Sequence, residues 1–515
     1  MELRMSHCWR LDDSRQTLVL ATKGDLLPQV VYWGKPLPTS DTSAVLAEAH
    51  QQDFTGGMLD GNPDLSLCPE ASQTFPGQPG LRCRNTQGAL LHPEFRFLSA
   101  EESTNNLVLT YQDTALGITY EANFALTPQT GLITTWARLT STKPIWLQWL
   151  AAPVFPAPQN SSEMLDVSGR WIGEFQINTV PWSAGIHLRE SRTGRSGHEH
   201  FPGLIIPESG TNNTKGHAYG FHYGWSGGHK MIAEELPDGR RQVQFGNATD
   251  SELTSGLQYE TARLYAVFSD QGLNGCAVAF QRHLRDHIVK FAKASMPRPV
   301  HYNCWEAIYF DHDISVLKQI ATKAKSLGAE RFVLDDGWFG HRDDDTTSLG
   351  DWQIDSRKYP DGLGPIVDHV SALDMQFGLW FEPEMVSANS ALYRSHPDWV
   401  LGPADQLLGR KQMVLDMSLQ EVSEYLFNSI AVLLRKYDIT YIKWDHNRTL
   451  PVSDADQTRA TYALLARLQT DFPHVEIETC ASGGGRIDFG ILNHTQRVWL
   501  SDSNDALERS RIQHG

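Results

Sequence analysis

The chain has 515 residues, 40% of them hydrophobic, with 41 Gly and 26 Pro; this suits a multidomain globular protein and excludes collagen, coiled coil and low-complexity disorder. Its 61 Asp and Glu exceed 44 Lys and Arg, for a net charge of −17, so neither nucleic acid nor an acidic membrane surface is expected as its partner. The six cysteines are scattered without metal-finger spacing or disulfide density, no run reaches the roughly 18 apolar residues of a membrane span, and the first ten residues lack a leader's apolar core. The expectation is a cytoplasmic protein with reduced thiols.

Residues 1–290 read as an N-terminal antiparallel β-sandwich. Runs at 16–22, 105–111, 116–126 and 262–268 have strand composition, and Ile118, Tyr120, Ala122, Phe124 and Leu126 keep the period of two of a half-buried strand. Gly and Pro clusters at 61–64 and 76–80 supply the turns. A helical pattern over 277–291 followed by Pro297 and Pro299 marks the junction, because proline disfavours continuation of a helix.

Residues 291–515 alternate strand and helix. Strands are expected at 300–305, 331–335, 377–381, 439–444, 475–480 and 496–501, with 410–415 as a short extra element. Ile314, Leu317, Ala321, Ala324 and Leu327 share one helical face, and Val422, Leu426, Ile430 and Leu433 another. The pattern predicts a (β/α)8 TIM-type barrel that is incomplete at its C-terminal end, since only six good strands precede Gly515.

Barrel enzymes carry their chemistry where the strands end, and the polar residues collect there. The ends hold Glu306, Asp335 and Asp336, Glu382 and Glu384, Lys443 and Asp445, Cys480, and Asp502 with Asp505. Carboxylates beside Trp338, Trp380 and Trp499 suggest a sugar site, where hydroxyls meet charge and C–H faces meet rings. Cleavage of a glycosidic bond takes two carboxyl groups, one to attack or activate water and one to protonate the leaving oxygen.

Asp445 suits the nucleophile, because Lys443 two positions earlier on an extended strand points to the same side and favours the ionised form. Asp502 and Asp505 compete for the acid, and either could instead cap the helix starting near Ala506. Asp335 and Asp336 need donors if buried, which Arg410 and Arg448 could supply. Cys480 precedes a Gly-rich stretch where backbone can approach a ligand. The HRDDD run at 341–345 has neither a calcium-loop pattern nor a His-rich shell, so no metal is expected; no cofactor motif is present either.

Several long segments resemble the bacterial α-galactosidases of glycoside hydrolase family 36: CWEAIYFD at 304–311, VLDDGWFGHRDDD at 333–345, LGDW at 349–352, GLWFEPEMV at 378–386, YIKWDHNR at 441–448 and ETCASGGGRID at 478–488. The resemblance covers nearly the whole chain. It implies a β-sandwich, a (β/α)8 barrel and a C-terminal β-domain, and retaining cleavage of terminal α-galactose from substrates such as melibiose and raffinose. It makes Asp445 the nucleophile and Asp502 the acid/base, and it places Asp335, Asp336, Arg410, Lys443, Cys480, Gly483 and Trp499 at the galactose subsite with Trp380 close by.

Retention implies carboxyl groups roughly 5–5.5 Å apart. The family's SDNTDA segment reads Ser501-Asp502-Ser503-Asn504-Asp505-Ala506 here, and the chain stops before the family's last barrel strands and C-terminal domain. The alternatives are an α-N-acetylgalactosaminidase, a transglycosylase of the same family, or an inactive galactoside-binding fragment. A homo-oligomer is a further expectation.

Overall fold

Alternation of apolar and polar residues builds the first half of the molecule. In a computed structural model, which describes residues 5–42, 59–248, 251–292, 295–452 and 455–515, the strand Ile118–Thr127 buries Ile118, Tyr120, Ala122, Phe124 and Leu126. It belongs to a ten-stranded antiparallel sheet, against which three smaller antiparallel sheets are stacked. The strand Arg263–Ser269 shows how the two faces divide. Leu264, Ala266 and Phe268 enter the core shared with the smaller sheets, while Tyr265 and Val267, on the opposite face by the period of two, join the core that continues into the barrel.

The helix expected at 277–291 starts earlier. Gly272–His283 is α-helical and a wider π turn, Leu284–Ile288, follows it. Cys276, Ala279 and Ile288 lie in the barrel core together with Phe489 and Leu492 from the C-terminal half. This helix is therefore the apolar seam between the two halves.

Beyond it, six parallel strands pair in chain order: His301–Asn303, Arg331–Leu334, Gln376–Phe381, Ile439–Trp444, Glu476–Thr479 and Arg497–Val498. They form an incomplete (β/α)8 barrel, as the strand–helix rhythm predicts. The helices Ile314–Ser326, Gly364–Ala372, Gln420–Lys436 and Ala455–Asp471 cover it. Residues 410–415 do make an extra element: Gln412–Val414 pairs antiparallel with Met385–Ser387 in a ribbon after the third strand.

Leu327 departs from its predicted face. The helix stops at Ser326, and Leu327 in the cap position is 76% exposed. Alternate residues on the strands line the lumen with polar groups rather than branched aliphatics. Arg331 donates to Gln376 at 3.0 Å and to Glu476 at 3.0 Å, and its guanidinium lies over the Tyr441 ring. Among the described residues no helix is long and apolar enough to cross a membrane, and no group of His, Cys, Asp and Glu side chains could hold a metal.

Candidate active site

The parallel pairing of the third and fourth strands sets Trp380 beside Lys443, so the residues that follow them, Glu382 and Asp445, come out at the same end of the lumen. Asp445 is 5% exposed. One of its oxygens accepts from the Trp380 indole at 3.1 Å and from the Asn447 side chain at 2.7 Å, and the other accepts from the His446 backbone at 2.9 Å. Burial alone would raise its pKa, but Lys443, a hydrogen bond from Cys480, Arg410 and Asn447 together bring it down to about 2. Asp445 is thus a buried carboxylate that stays ionised.

Lys443 keeps its charge by pairing. Burial would lower its pKa, yet Asp335 at 3.1 Å, with Cys480 and Asp445 nearby, holds it well above the ordinary lysine value. Asp335 also accepts from Asn303 at 2.5 Å. Asp336, fully buried, is gripped at both oxygens by Arg342, at 3.0 and 2.9 Å, and touched by Arg410 at 3.4 Å. Arg410 reaches on to Asp345 at 3.0 Å. In the acidic run of HRDDD, Asp343 pairs with Arg357 and Lys358, Asp345 with Arg410 and with Arg342 of the run itself, and Asp344 accepts from Thr346.

The opposite wall comes from the loops after the fifth and sixth strands. Cys480 is buried and its thiol is pushed well above its ordinary pKa by burial and by Asp445, so it remains a donor. At Gly483 the backbone has φ of +79°, and a Cβ would lie 2.5 Å from Glu174 Oε1 and 3.0 Å from the Ser501 Cα. Glycine is required there because the loop passes against the segment that carries Asp502.

Asp502 is half-buried, and each of its oxygens accepts an indole N–H: Trp499 at 2.7 Å and Trp171 at 3.0 Å. The Lys443 ammonium stands 5.5 Å from the centre of the Trp499 ring. Asp505 points elsewhere: it caps the helix Ala506–His514 through the Glu508 backbone N–H at 2.8 Å, the structural role that the sequence allowed for either Asp. Asn504, one of the two departures from the family segment, donates to Glu306 at 2.5 Å.

Three expectations need correction. Trp338, a candidate for sugar contact, is fully buried among Phe339, Trp352 and Phe381, with its N–H on the Trp380 carbonyl. Arg448 does not serve Asp335 or Asp336; it donates to backbone carbonyls, including Gln412 at 3.0 Å, and Arg342 takes its place. Trp380 is only 1% exposed, so it meets the site through its N–H on Asp445 and not through a ring face.

The sequence reading gave four contributors no role, although Glu382 stood among its strand-end carboxylates. Arg342 was hidden inside an acidic run. Asn447 follows the nucleophile candidate by two positions and could have been found by the same alternation that selected Lys443. Glu382 lies fully buried beside Asp445, and burial first, then Asp445, raises its pKa to about 7. Trp171 comes from the sandwich, at the tip of the hairpin Glu163–Arg170 and Gly173–Pro181, and no local signal links it to residue 502. Trp171→Phe removes one hydrogen bond to a charged group while keeping the ring. The expected result is a roughly tenfold loss in kcat/KM with little change in thermal stability; unchanged kinetics would mean that this indole N–H has no part in the reaction.

Residues 26–254 match the glycosyl hydrolase family 36 N-terminal domain, and residues 258–515 match Melibiase. The chain is 39% identical to an alpha-galactosidase of Escherichia coli, over 98% of this chain and 72% of that relative. It is 34% identical to alpha-galactosidase Mel36A of Lactobacillus acidophilus, over 93% of this chain and 67% of that one. Among solved structures, an alpha-galactosidase from Lactobacillus brevis has a TM-score of 0.92 at 29% identity, covering 98% of this chain and 74% of that chain. A variant of alpha-galactosidase AgaA from Geobacillus stearothermophilus, in complex with raffinose, likewise has a TM-score of 0.92 at 29% identity, covering 99% of this chain and 77% of that chain.

Proposed function

The chain belongs to glycoside hydrolase family 36, the melibiase family, and from that premise we propose that it releases terminal α-linked galactose with retention of configuration, Asp445 acting as nucleophile and Asp502 as acid/base. The observation that carries this reading is the state of Asp445. A carboxylate buried this deeply and held at about 2 is ionised at any working pH and poorly hydrated, as an attacking group should be.

Asp445 attacks the anomeric carbon and forms a galactosyl ester while Asp502 gives its proton to the departing oxygen. Asp502 then takes a proton from water, and that water cleaves the ester. The half-exposed position of Asp502, between two indoles, suits a group that must meet both an aglycone and water. Asp335, Asp336, Arg410, Lys443, Cys480, Gly483 and Trp499 form the wall for the sugar hydroxyls, and Trp380 orients the nucleophile through its N–H. A double displacement of this kind uses carboxyl groups and water alone.

The AgaA relatives are seen in complex with raffinose and with stachyose, and galactosides of that series are the proposed substrates. The test is release of p-nitrophenol from p-nitrophenyl-α-galactoside by the 515-residue chain, with the first-formed sugar followed by proton NMR. α-Galactose as the initial product supports the proposal. β-Galactose first, faster turnover of the N-acetylgalactosaminide, or no turnover by folded chain would each overturn it.

A further inference from the structure

Asp445 is approached from the sandwich as well as from the barrel. The loop Thr193–His198, between the strands Gly185–Ser191 and His200–Pro207, lies against the loops that follow the fourth and fifth barrel strands. Leu450 N donates to Thr193 O at 2.8 Å, Gly197 N to Gly485 O at 2.8 Å, and His198 Nε2 bonds Ser482 O at 3.1 Å. A Cβ on Gly197 would lie 2.2 Å from the Gly484 carbonyl. The loop is fixed there by several independent contacts.

From its centre Arg195, only 7% exposed, extends into the barrel mouth. It donates through one nitrogen to the His446 carbonyl at 3.0 Å and to Ser482 Oγ at 3.2 Å. No carboxylate among the described residues lies within ion-pair distance of it. A buried arginine without a paired anion is costly, which calls for a function. Ser482 Oγ donates in turn to Asn447 Oδ1 at 3.0 Å, and Asn447 Nδ2 donates to Asp445 Oδ2 at 2.7 Å. The backbone N–H of the same Asn447 donates to Glu382 at 2.6 Å.

We propose that Arg195 is a positioning residue that anchors the far end of this hydrogen-bond chain through Ser482 and so holds Asn447 with its amide N–H on Asp445; the role rests on the family 36 reading above. A hydroxyl and a primary amide can each donate or accept, so the Ser482–Asn447 pair has no intrinsic direction. A guanidinium only donates. The two ends of the chain fix the direction: ionised Asp445 only accepts and draws the Asn447 NH2, while Arg195 only donates, taking one lone pair of Ser482 Oγ and leaving the hydroxyl proton to hold Asn447 Oδ1. The reversed amide would set two acceptors against each other beside a second buried carboxylate, Glu382.

The titratable and charged groups facing Asp445 are Lys443 on its own strand, the protonated Cys480 from the next, Glu382 from the preceding one, Arg410 from the ribbon, and Arg195 from the sandwich. Arg195 reaches Asp445 through Ser482 and the Asn447 side chain. Burial lowers its own pKa, with Asp445, Glu199 and Glu382 opposing that effect.

Two variants test the chain at different links. Arg195→Met removes the anchor, and Ser482→Gly removes the hydroxyl at a position whose φ of 50° suits glycine. In both, kcat falls about tenfold with KM nearly constant, and the acid limb of the kcat/KM profile moves up by about one pH unit. Arg195→Lys, still a donor-only cation, restores most of the acid limb. A merely structural role would lower stability and leave that limb in place, so wild-type limbs in folded Arg195→Met and Ser482→Gly overturn the inference. If the wild-type chain releases no galactose, the functional reading fails separately. The same variants are then compared by the pH dependence of binding of a basic, galactose-configured iminosugar, which reads the ionised nucleophile without turnover, and an unmoved profile again overturns the inference.

Discussion

Asp445→Ala is expected to abolish hydrolysis, by about 10⁴-fold or more, and azide is expected to restore consumption of an activated galactoside with β-galactosyl azide as the product. The logic is stereochemical. With the carboxylate gone, azide enters the vacated space and attacks the anomeric carbon once, from the side opposite the leaving group, so configuration inverts. Were Asp445 the acid/base instead, the glycosyl ester would still form, and azide would open it to the α-azide. The product's configuration, read by NMR, therefore separates the two roles. Substantial residual hydrolysis, or α-azide, would show that the nucleophile lies elsewhere.

Arg486→Met is expected to destabilise the protein by about 3–5 kcal/mol, because it leaves a buried carboxylate without its cation. Glu384 and Arg486 are both buried and joined at 2.8 and 3.2 Å, with Trp444 and Thr461 supplying the remaining donors to Glu384. Burial would raise the Glu384 pKa, but Arg486, then His446, bring it from 4.5 to about 2. A carboxyl whose folded value is depressed contributes stability above its unfolded value and loses it as pH falls toward the folded one. In the wild type this contribution is complete above about pH 5 and fades between there and pH 2. In Arg486→Met burial dominates, so acidification relieves the variant, and its deficit narrows on lowering the pH. Denaturant midpoints measured from pH 7 to pH 4 check this; a deficit that does not change with pH would mean lost packing rather than an unpaired charge.

The catalytic face was legible in the sequence because its residues obey two local rules. Polar residues gather where the strands end, and on a strand the side that carries Lys443 must carry Asp445. Alternation also marked the buried set of Ile118–Thr127, and the strand–helix rhythm marked the six barrel strands. What stayed hidden obeys no local rule. Trp171, Arg195 and Glu174 come from the sandwich, and their positions depend on how two separately patterned halves dock. Trp338 follows the carboxylates of a strand end and still lies in the interior, and Trp380, just before one, is buried with only its N–H on Asp445, because packing among Phe339, Trp352 and Phe381 takes up the rings. Leu327 kept the helical period but fell one residue beyond the last turn, where the period no longer determines burial. Arg448 and Arg342 have the same chemistry, and only the path of the chain decided which of them reaches Asp336.

The hairpin that carries Trp171 has a consequence for how the site comes into being. Trp171 meets Asp502 across 331 residues of chain, Glu174 meets Ser501 across 327, and Ser196 meets Asp488 across 292. Contacts this distant in sequence require large loop closures and form late, after locally paired strands and helices are in place. During synthesis the sandwich emerges first and can fold as a unit, so it offers a finished surface on which the later loops, from Asn447 to Asp502, are moulded. The site is then assembled at the moment of docking rather than when either sheet forms.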